Sequence, residues 1–112
     1  MSDATLYQYK VNIVSVHDGD TVTVDIDLGF YLTHRTPIRL AGINAPELKT
    51  PEGKAARDAL QGFVAAHPGQ WTAQTFKSGE EKYGRWLAML FAPDGMDVSA
   101  WMVLNGFAVS MG

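Results

Sequence analysis

The chain has 112 residues, and 46% of them are hydrophobic, which suits a single domain with a core of its own. It contains no cysteine, so neither disulfides nor thiolate metal sites can hold it together, and its formal charge of −3 argues against a surface coated in basic groups. No apolar run approaches the roughly 20 residues that a membrane span needs.

Three consecutive strands are predicted in the first part of the chain. Residues 7–16 are rich in β-branched and aromatic residues, with apolar side chains at alternate positions. A break at residues 17–19 is followed by residues 21–28, where apolar residues alternate with Thr and Asp as in a half-buried strand. Residues 36–43 form the third strand, with Pro37 near its start, where a missing N–H is tolerated. The three strands are expected to form a meander.

Two helices and two further strands are predicted in the rest of the chain. Thr50 is placed to cap a helix that begins at Pro51 and stops at residues 67–69, and its apolar residues recur at helical spacing. The remaining elements are strands over residues 71–77 and 86–92, a second helix over 98–105 and a short extended piece over 107–110. The order β-β-β-α-β-β-α in one domain, residues 1–112, fits a small five-stranded barrel of the OB type.

Two acidic residues flank a glycine just before the second strand, in Asp18-Gly19-Asp20. Asp-Gly between two strands is a strong hairpin signal, so an ordinary turn is the favoured interpretation of this tripeptide alone. Asp20, however, has the parity of Val22 and Val24, so it extends the buried face and points toward the mouth of the barrel. Because an unpaired buried charge is costly, this carboxylate needs a partner, either an arginine or a cation.

Two further stretches carry charged residues whose meaning is ambiguous when each is taken alone. In RLAGINAPELK, residues 39–49, Arg39 is either a solvated residue of the third strand or part of a site, and Glu47 is either ordinary loop or part of the same site. In EKYGRW, residues 81–86, Arg85 follows a turn glycine and opens a strand, which is common in proteins. Neither stretch identifies a function by itself.

The combination is more specific than its parts. DGDTV, then RLAGINAPE, then a helix, then KYGR, in that order and spacing, resembles the staphylococcal nuclease family of thermonuclease-like domains. The resemblance covers residues 11–108, nearly the whole chain. It implies a mainly β fold with α, a five-stranded OB-type barrel with two helices, in agreement with the element order. The C-terminal helix that often follows in the family is absent, which fits either a minimal or a shortened domain.

The resemblance also implies an activity and its residues. The family's members hydrolyse phosphodiester bonds, so a metal-dependent nuclease acting on DNA is expected, with RNA as a further candidate substrate. Arg39 and Arg85 would grip the scissile phosphate, because paired guanidinium N–H donors match its oxygens. Glu47 would position or deprotonate the attacking water. Tyr83 would line the nucleotide pocket, and Lys82 would assist with phosphate.

One calcium ion is the cofactor that the resemblance implies. Asp20 would be a ligand, the carbonyl of Ala45 a backbone ligand, and Asp18 an outer-shell neighbour of the ion. The family usually has a second aspartate ligand where this chain has Asn44, which still offers a carbonyl oxygen but removes one negative charge. Since calcium affinity depends on the charge of the ligands, weak calcium binding is expected. Gly112 also stands where family members often carry an aromatic residue.

Two other functions compete with the nuclease. The same barrel without useful catalysis would be a module that binds nucleic acid or protein, and Asn44 is the feature that favours it. A barrel for an unrelated small ligand would leave the two arginines and Glu47 unexplained. Because Asp20, Arg39, Glu47 and Arg85 are all present, the enzyme is favoured. We expect a monomer with no membrane partner; the chain shows no signal peptide, so cytoplasmic and mature secreted locations both stay open.

Overall fold

The structure is a computed structural model that describes the backbone of residues 7–80 and 86–111. Side chains are described for residues 7–75 and 86–111. Within these residues, no helix is both long enough and apolar enough to cross a membrane. Four residues that the sequence singled out lie outside the described part of the chain: Lys82, Tyr83, Arg85 and Gly112.

Five strands form a closed barrel, and this confirms the predicted fold class. They are β1 (Gln8–Asp18), β2 (Thr21–Asp27), β3 (Thr33–Leu40), β5 (Trp71–Glu80) and β6 (Trp86–Phe91). Their order around the barrel is β1-β2-β3-β6-β5, with β5 returning to pair with β1. The predicted meander is the antiparallel run β1-β2-β3, and the parallel pairing of β3 with β6 completes the closure.

The alternation seen in the sequence sets the inner face of the barrel. Val22, Val24 and Ile26 of β2 are buried, as predicted, and they meet the buried Ile38 and Leu90 of other strands. The alternation predicted to reach Leu28 stops one residue earlier, because β2 ends at Asp27 and Leu28 is exposed. This apolar core holds the open ends of the strands, and the residues on them, in fixed positions.

The third predicted strand is interrupted. β3 ends at Leu40, and Gly42 has a φ of 80°, a left-handed conformation that glycine adopts without steric cost. Beyond it, β4 (Ile43–Asn44) pairs with β7 (Val109–Ser110) in a small second sheet. The sequence pattern predicted one continuous strand over residues 36–43 because apolar residues continue on both sides of the break. The consequence is a change of direction that brings Asn44 back toward the end of β3.

Two helices cover the barrel. α1 (Pro51–Ala65) begins at the predicted N-cap, where the Thr50 hydroxyl accepts a hydrogen bond from the Gly53 amide at 3.0 Å. α2 (Val98–Leu104) is capped by Asp97, whose carboxylate accepts from the Ser99 amide at 3.0 Å. α1 packs against β1 and α2 against β6. The face of α1 that enters the core consists of Gly53, Ala56, Leu60 and Phe63.

Candidate active site

Asp18-Gly19-Asp20 is both a turn and a buried acidic site. The Asp18 carboxylate accepts a hydrogen bond from the Asp20 amide at 3.0 Å, which fixes the turn between β1 and β2. A Cβ on Gly19 would lie 2.7 Å from the Cβ of Ala45 and 2.8 Å from that of Ala56, so the turn is pressed against both the loop and the helix. This close packing places Asp20 at the end of the barrel instead of in solvent.

The buried carboxylate of Asp20 has the partners that its position requires. Asp20 is 7% exposed, in agreement with the predicted parity. Its Oδ2 accepts a hydrogen bond from the Ala45 amide at 2.9 Å and lies 3.5 Å from a guanidinium nitrogen of Arg39. Its Oδ1 accepts from the Thr21 hydroxyl at 3.2 Å. Of the two kinds of partner that the sequence allowed, the structure contains the arginine.

Arg39 is not a solvated surface residue. Its side chain is 12% exposed. Nη1 donates to the carbonyls of Leu40 at 3.1 Å and Ile43 at 3.0 Å, and Nη2 donates to Oδ1 of Asn44 at 3.2 Å. A guanidinium has five N–H donors, and these contacts occupy three of them. Among the described residues, Nε and one N–H of Nη2 have no acceptor, and Nε and Nη2 are the pair of nitrogens with which Arg35 holds a carboxylate elsewhere in the chain.

Asp18 lies close enough to Asp20 for the two carboxyl groups to affect each other. Burial raises the pKa of Asp18, and the hydrogen bond and negative charge of the Asp20 side chain raise it further, whereas the Asp20 amide opposes the change. A second carboxylate beside a buried one is unfavourable until a positive charge is shared between them. Arg39 supplies one such charge on the Asp20 side.

The donor set fits a hard divalent cation but carries little charge. Asp18 and Asp20 supply carboxylate oxygens and Asn44 an amide oxygen, the oxygen ligands that calcium prefers. No group of three or more His, Cys, Asp or Glu side chains is placed to hold a metal ion within the described residues. Oδ1 of Asn44 already accepts a hydrogen bond from Arg39. The set would therefore bind calcium weakly.

The structure does not bring the Glu47 carboxylate into contact with this cluster. Its side chain is 73% exposed, and its Oε2 lies 3.3 Å from the ammonium nitrogen of Lys49. The backbone is better fixed, because the Glu47 carbonyl accepts from the amide of Thr50 at 3.0 Å and from its hydroxyl at 2.7 Å. Glu47 is thus held just before α1 by its main chain while its side chain faces water.

Sequence reasoning missed one polar member of the site. Thr21 is buried, its hydroxyl bonds Asp20, and its backbone pairs directly with Arg39 across β2 and β3. The sequence placed it on the outer face of its strand, where burial is not expected. Only the strand register, together with the packing of α1 nearby, shows that Thr21 joins the two charged residues.

The comparisons with known proteins agree with the predicted family and fold class. Residues 37–111 match the family described as "Staphylococcal nuclease homologue". Two relatives from Escherichia coli, one of them from strain O157:H7, are each called "Uncharacterized endonuclease" and are 36% identical over 96 residues, covering 86% of this chain and 57% of theirs. "Succinoglycan biosynthesis protein ExoI" from Rhizobium meliloti is 29% identical over 117 residues, covering 96% of this chain and 55% of its own length. The chain thus spans little more than half the length of these relatives.

Proposed function

Because this chain belongs to the staphylococcal nuclease family, we propose that it is a calcium-dependent nuclease that hydrolyses phosphodiester bonds in DNA, with RNA as a second candidate substrate. The observation that carries the proposal is the guanidinium of Arg39. Its side chain is 12% exposed, acceptors hold it on one side, and among the described residues two of its N–H donors have no acceptor and are left for an anion. Such a group is suited to a phosphodiester, whose non-bridging oxygens it can bind in pairs.

Arg39 would stabilise the charge that builds up on the phosphate when water attacks it. Its fixed contacts mean that little reorganisation is needed at that moment. Arg85 is proposed to be the second arginine on the same phosphate. It directly precedes Trp86, whose backbone pairs with Ile38, the residue before Arg39. The start of β6 and the end of β3 therefore lie side by side, which supports this pairing of roles.

Glu47 is proposed to take a proton from the attacking water. Its carboxylate is solvent-exposed, while its carbonyl is anchored to the N-cap of α1, Thr50. A change of side-chain rotamer therefore moves the carboxylate without moving the backbone. Lys82 and Tyr83 are proposed to contact the nucleotide.

Calcium is proposed to bind at the end of the barrel. Asp20, Asn44 and the carbonyl of Ala45 would be its ligands, with Asp18 in the outer shell. When bound, the ion would neutralise negative charge on the phosphate. The chain's own residues would supply the other phosphate contacts. Arg39 would bind a phosphate oxygen, and Asp20 holds that arginine in place.

A catalytically weak module that binds nucleic acid or protein is the second candidate. Two observations favour it. The Glu47 carboxylate pairs with Lys49 in solvent, away from Arg39, and the amide oxygen of Asn44 is used by Arg39. Such a domain would retain oligonucleotide affinity without cleaving it.

Incubation with labelled single-stranded DNA in millimolar calcium separates the two candidates. We expect cleavage that a chelator abolishes and that Glu47→Gln lowers by about 10²- to 10⁴-fold, the usual contribution of a general base. Glu52→Gln is the matched control, because Glu52 is an exposed acid in the first turn of α1. Its cleavage rate should stay within twofold of the starting protein.

The nuclease proposal fails if no cleavage appears when Asn44→Asp and other divalent metals are also tried. Retained binding of the oligonucleotide under those conditions would identify the binding module. Equal losses in Glu47→Gln and Glu52→Gln would remove Glu47 from the proposed chemistry.

A further inference from the structure

A large cleft lies on the outer face of the barrel beside the site. Its volume is about 720 Å³. Thr21 and Thr23 of β2 and Pro37 of β3 line one side, and Arg57 and Gln61 of α1 line the other. Ser15, Val16 and His17 of β1 also line it, so the cleft lies between α1 and the β1–β2–β3 run, and it includes part of the β2–β3 face with which barrels of the OB type bind oligonucleotides.

The lining of the cleft favours an anion with hydrogen-bonding groups. The described residues that line it include no aspartate or glutamate, although the whole chain has a formal charge of −3. They include the guanidinium of Arg57, the imidazole of His17, the amide of Gln61 and the hydroxyls of Thr21 and Thr23. Val16 and Pro37 add apolar surface to the cleft, which suits the carbon atoms of a sugar, and a cation would meet no carboxylate among the described lining residues.

Thr21 connects the cleft to the buried charges. Its hydroxyl donates to Asp20 while its residue lines the cleft, and its backbone pairs with that of Arg39. A strand of nucleic acid whose phosphate lies on Arg39 thus has the cleft as an adjoining surface. A second phosphate of the same strand would therefore lie within reach of the cleft.

Among the described residues that line the cleft, Arg57 is the one that carries a permanent positive charge. Its side chain is partly buried, and Asp58 orients it: Nε and one amino group each lie 3.0 Å from Oδ1 of that exposed carboxylate. The other amino group has no hydrogen-bond partner among the described residues. Arg57 therefore has a fixed direction and N–H donors left for a ligand.

We propose that this cleft binds the sugar-phosphate backbone of the substrate strand next to the cleaved bond, with Arg57 donating to a phosphate oxygen. The inference rests on the proposed function for the identity of the strand. Gln61 and the Thr23 hydroxyl would contact the same sugar-phosphate unit. The cleft would make the protein prefer a polynucleotide to a single nucleotide, because only a longer strand reaches both Arg39 and Arg57.

Fluorescence anisotropy of a labelled single-stranded oligonucleotide, with a chelator present to prevent cleavage, tests the cleft. Arg57→Gln should weaken binding about tenfold, the loss of one charge-assisted contact. It should also reduce the slope of log Kd against log salt by about 0.7, the value for one phosphate of a single strand. Arg35→Gln is the matched control, since Arg35 is also paired with a carboxylate but does not line the cleft.

Gln61→Glu provides a second test on an exposed helix position, where folding is not at risk. Placing a carboxylate in the cleft should weaken binding while thermal unfolding is unchanged. Equal affinities and salt slopes for Arg57→Gln and Arg35→Gln, or unchanged binding in Gln61→Glu, would overturn the proposal. Calcium-dependent cleavage is measured on the same proteins: its absence would count against the nuclease, whereas the anisotropy results decide the cleft.

Discussion

At the scale of single residues, Arg39 and Asn44 determine each other's behaviour. The amide oxygen of Asn44 accepts a hydrogen bond from Arg39, so a neutral group holds the guanidinium where the family usually has a carboxylate. Among the described residues Arg39 therefore has one carboxylate partner, Asp20, so less of its positive charge is neutralised. The same substitution leaves a bound cation with less negative charge around it. Under the proposed function, Asn44 would therefore favour phosphate binding and weaken calcium binding.

Asn44→Asp should strengthen calcium binding about tenfold, because it adds a negative charge to the proposed ligand set. Isothermal titration calorimetry measures the affinity directly. Gln8→Glu, which adds the same charge at the exposed far end of β1, should leave calcium affinity unchanged. A calcium affinity that Asn44→Asp does not improve would contradict the proposed role of Asn44.

At the scale of elements, the site depends on how α1 begins. Gly53 lies in the first turn, and a Cβ there would be 1.8 Å from the Glu47 carbonyl oxygen and 2.9 Å from the Cα of Leu48. These are backbone atoms, which cannot move aside as a flexible side chain would. The helix and the segment that carries Glu47 therefore pack main chain against main chain.

Gly53→Ala should destabilise the domain by about 2 kcal/mol, although the same change normally favours a helix. Gly62→Ala is the matched control in α1, because a Cβ at Gly62 meets no atom within 4 Å. It should stabilise the domain by about 0.5–1 kcal/mol. Urea unfolding measures both free energies, and stabilisation by Gly53→Ala would show that the close approach is absent in solution. The cleavage rate of Gly53→Ala should also fall, since the clash displaces Glu47.

At the scale of the whole molecule, one core joins the barrel to its helices. Leu60 of α1 is fully buried with the strand residues Val22 and Leu90. The helix that anchors Glu47 is therefore stabilised by the same packing as the strands that carry Asp20 and Arg39. We expect the charged residues to lose their arrangement when this core unfolds.

Leu60→Ala should lower the free energy of unfolding by about 2–5 kcal/mol, because it leaves a cavity in a packed core. Leu104→Ala is the matched control: Leu104 is 80% exposed in α2, and its substitution should change stability by less than about 0.5 kcal/mol. Denaturant titration followed by tryptophan fluorescence measures both. Similar losses in the two variants would be inconsistent with a core that includes α1.

Much of the fold follows from local patterns in the sequence. The alternation of β2, the cap and start of α1 and the order of elements all appear in the structure, because burial on one face of a strand or helix imposes its period on the sequence. The local pattern did not predict the break at Gly42, because apolar residues continue past it. Only the pairing of β4 with β7 shows the change of direction.

The candidate site likewise has one part that the sequence determines and another that only the tertiary structure decides. By itself, the sequence determined that Asp20 lies on a buried face and needs a partner, because parity and the cost of an unpaired charge are local facts. Only the tertiary structure decided that the partner is Arg39, that Thr21 joins them, and that Glu47 faces solvent. These contacts connect residues that are distant in sequence, and they depend on strand register and on the packing of α1, which no local pattern records.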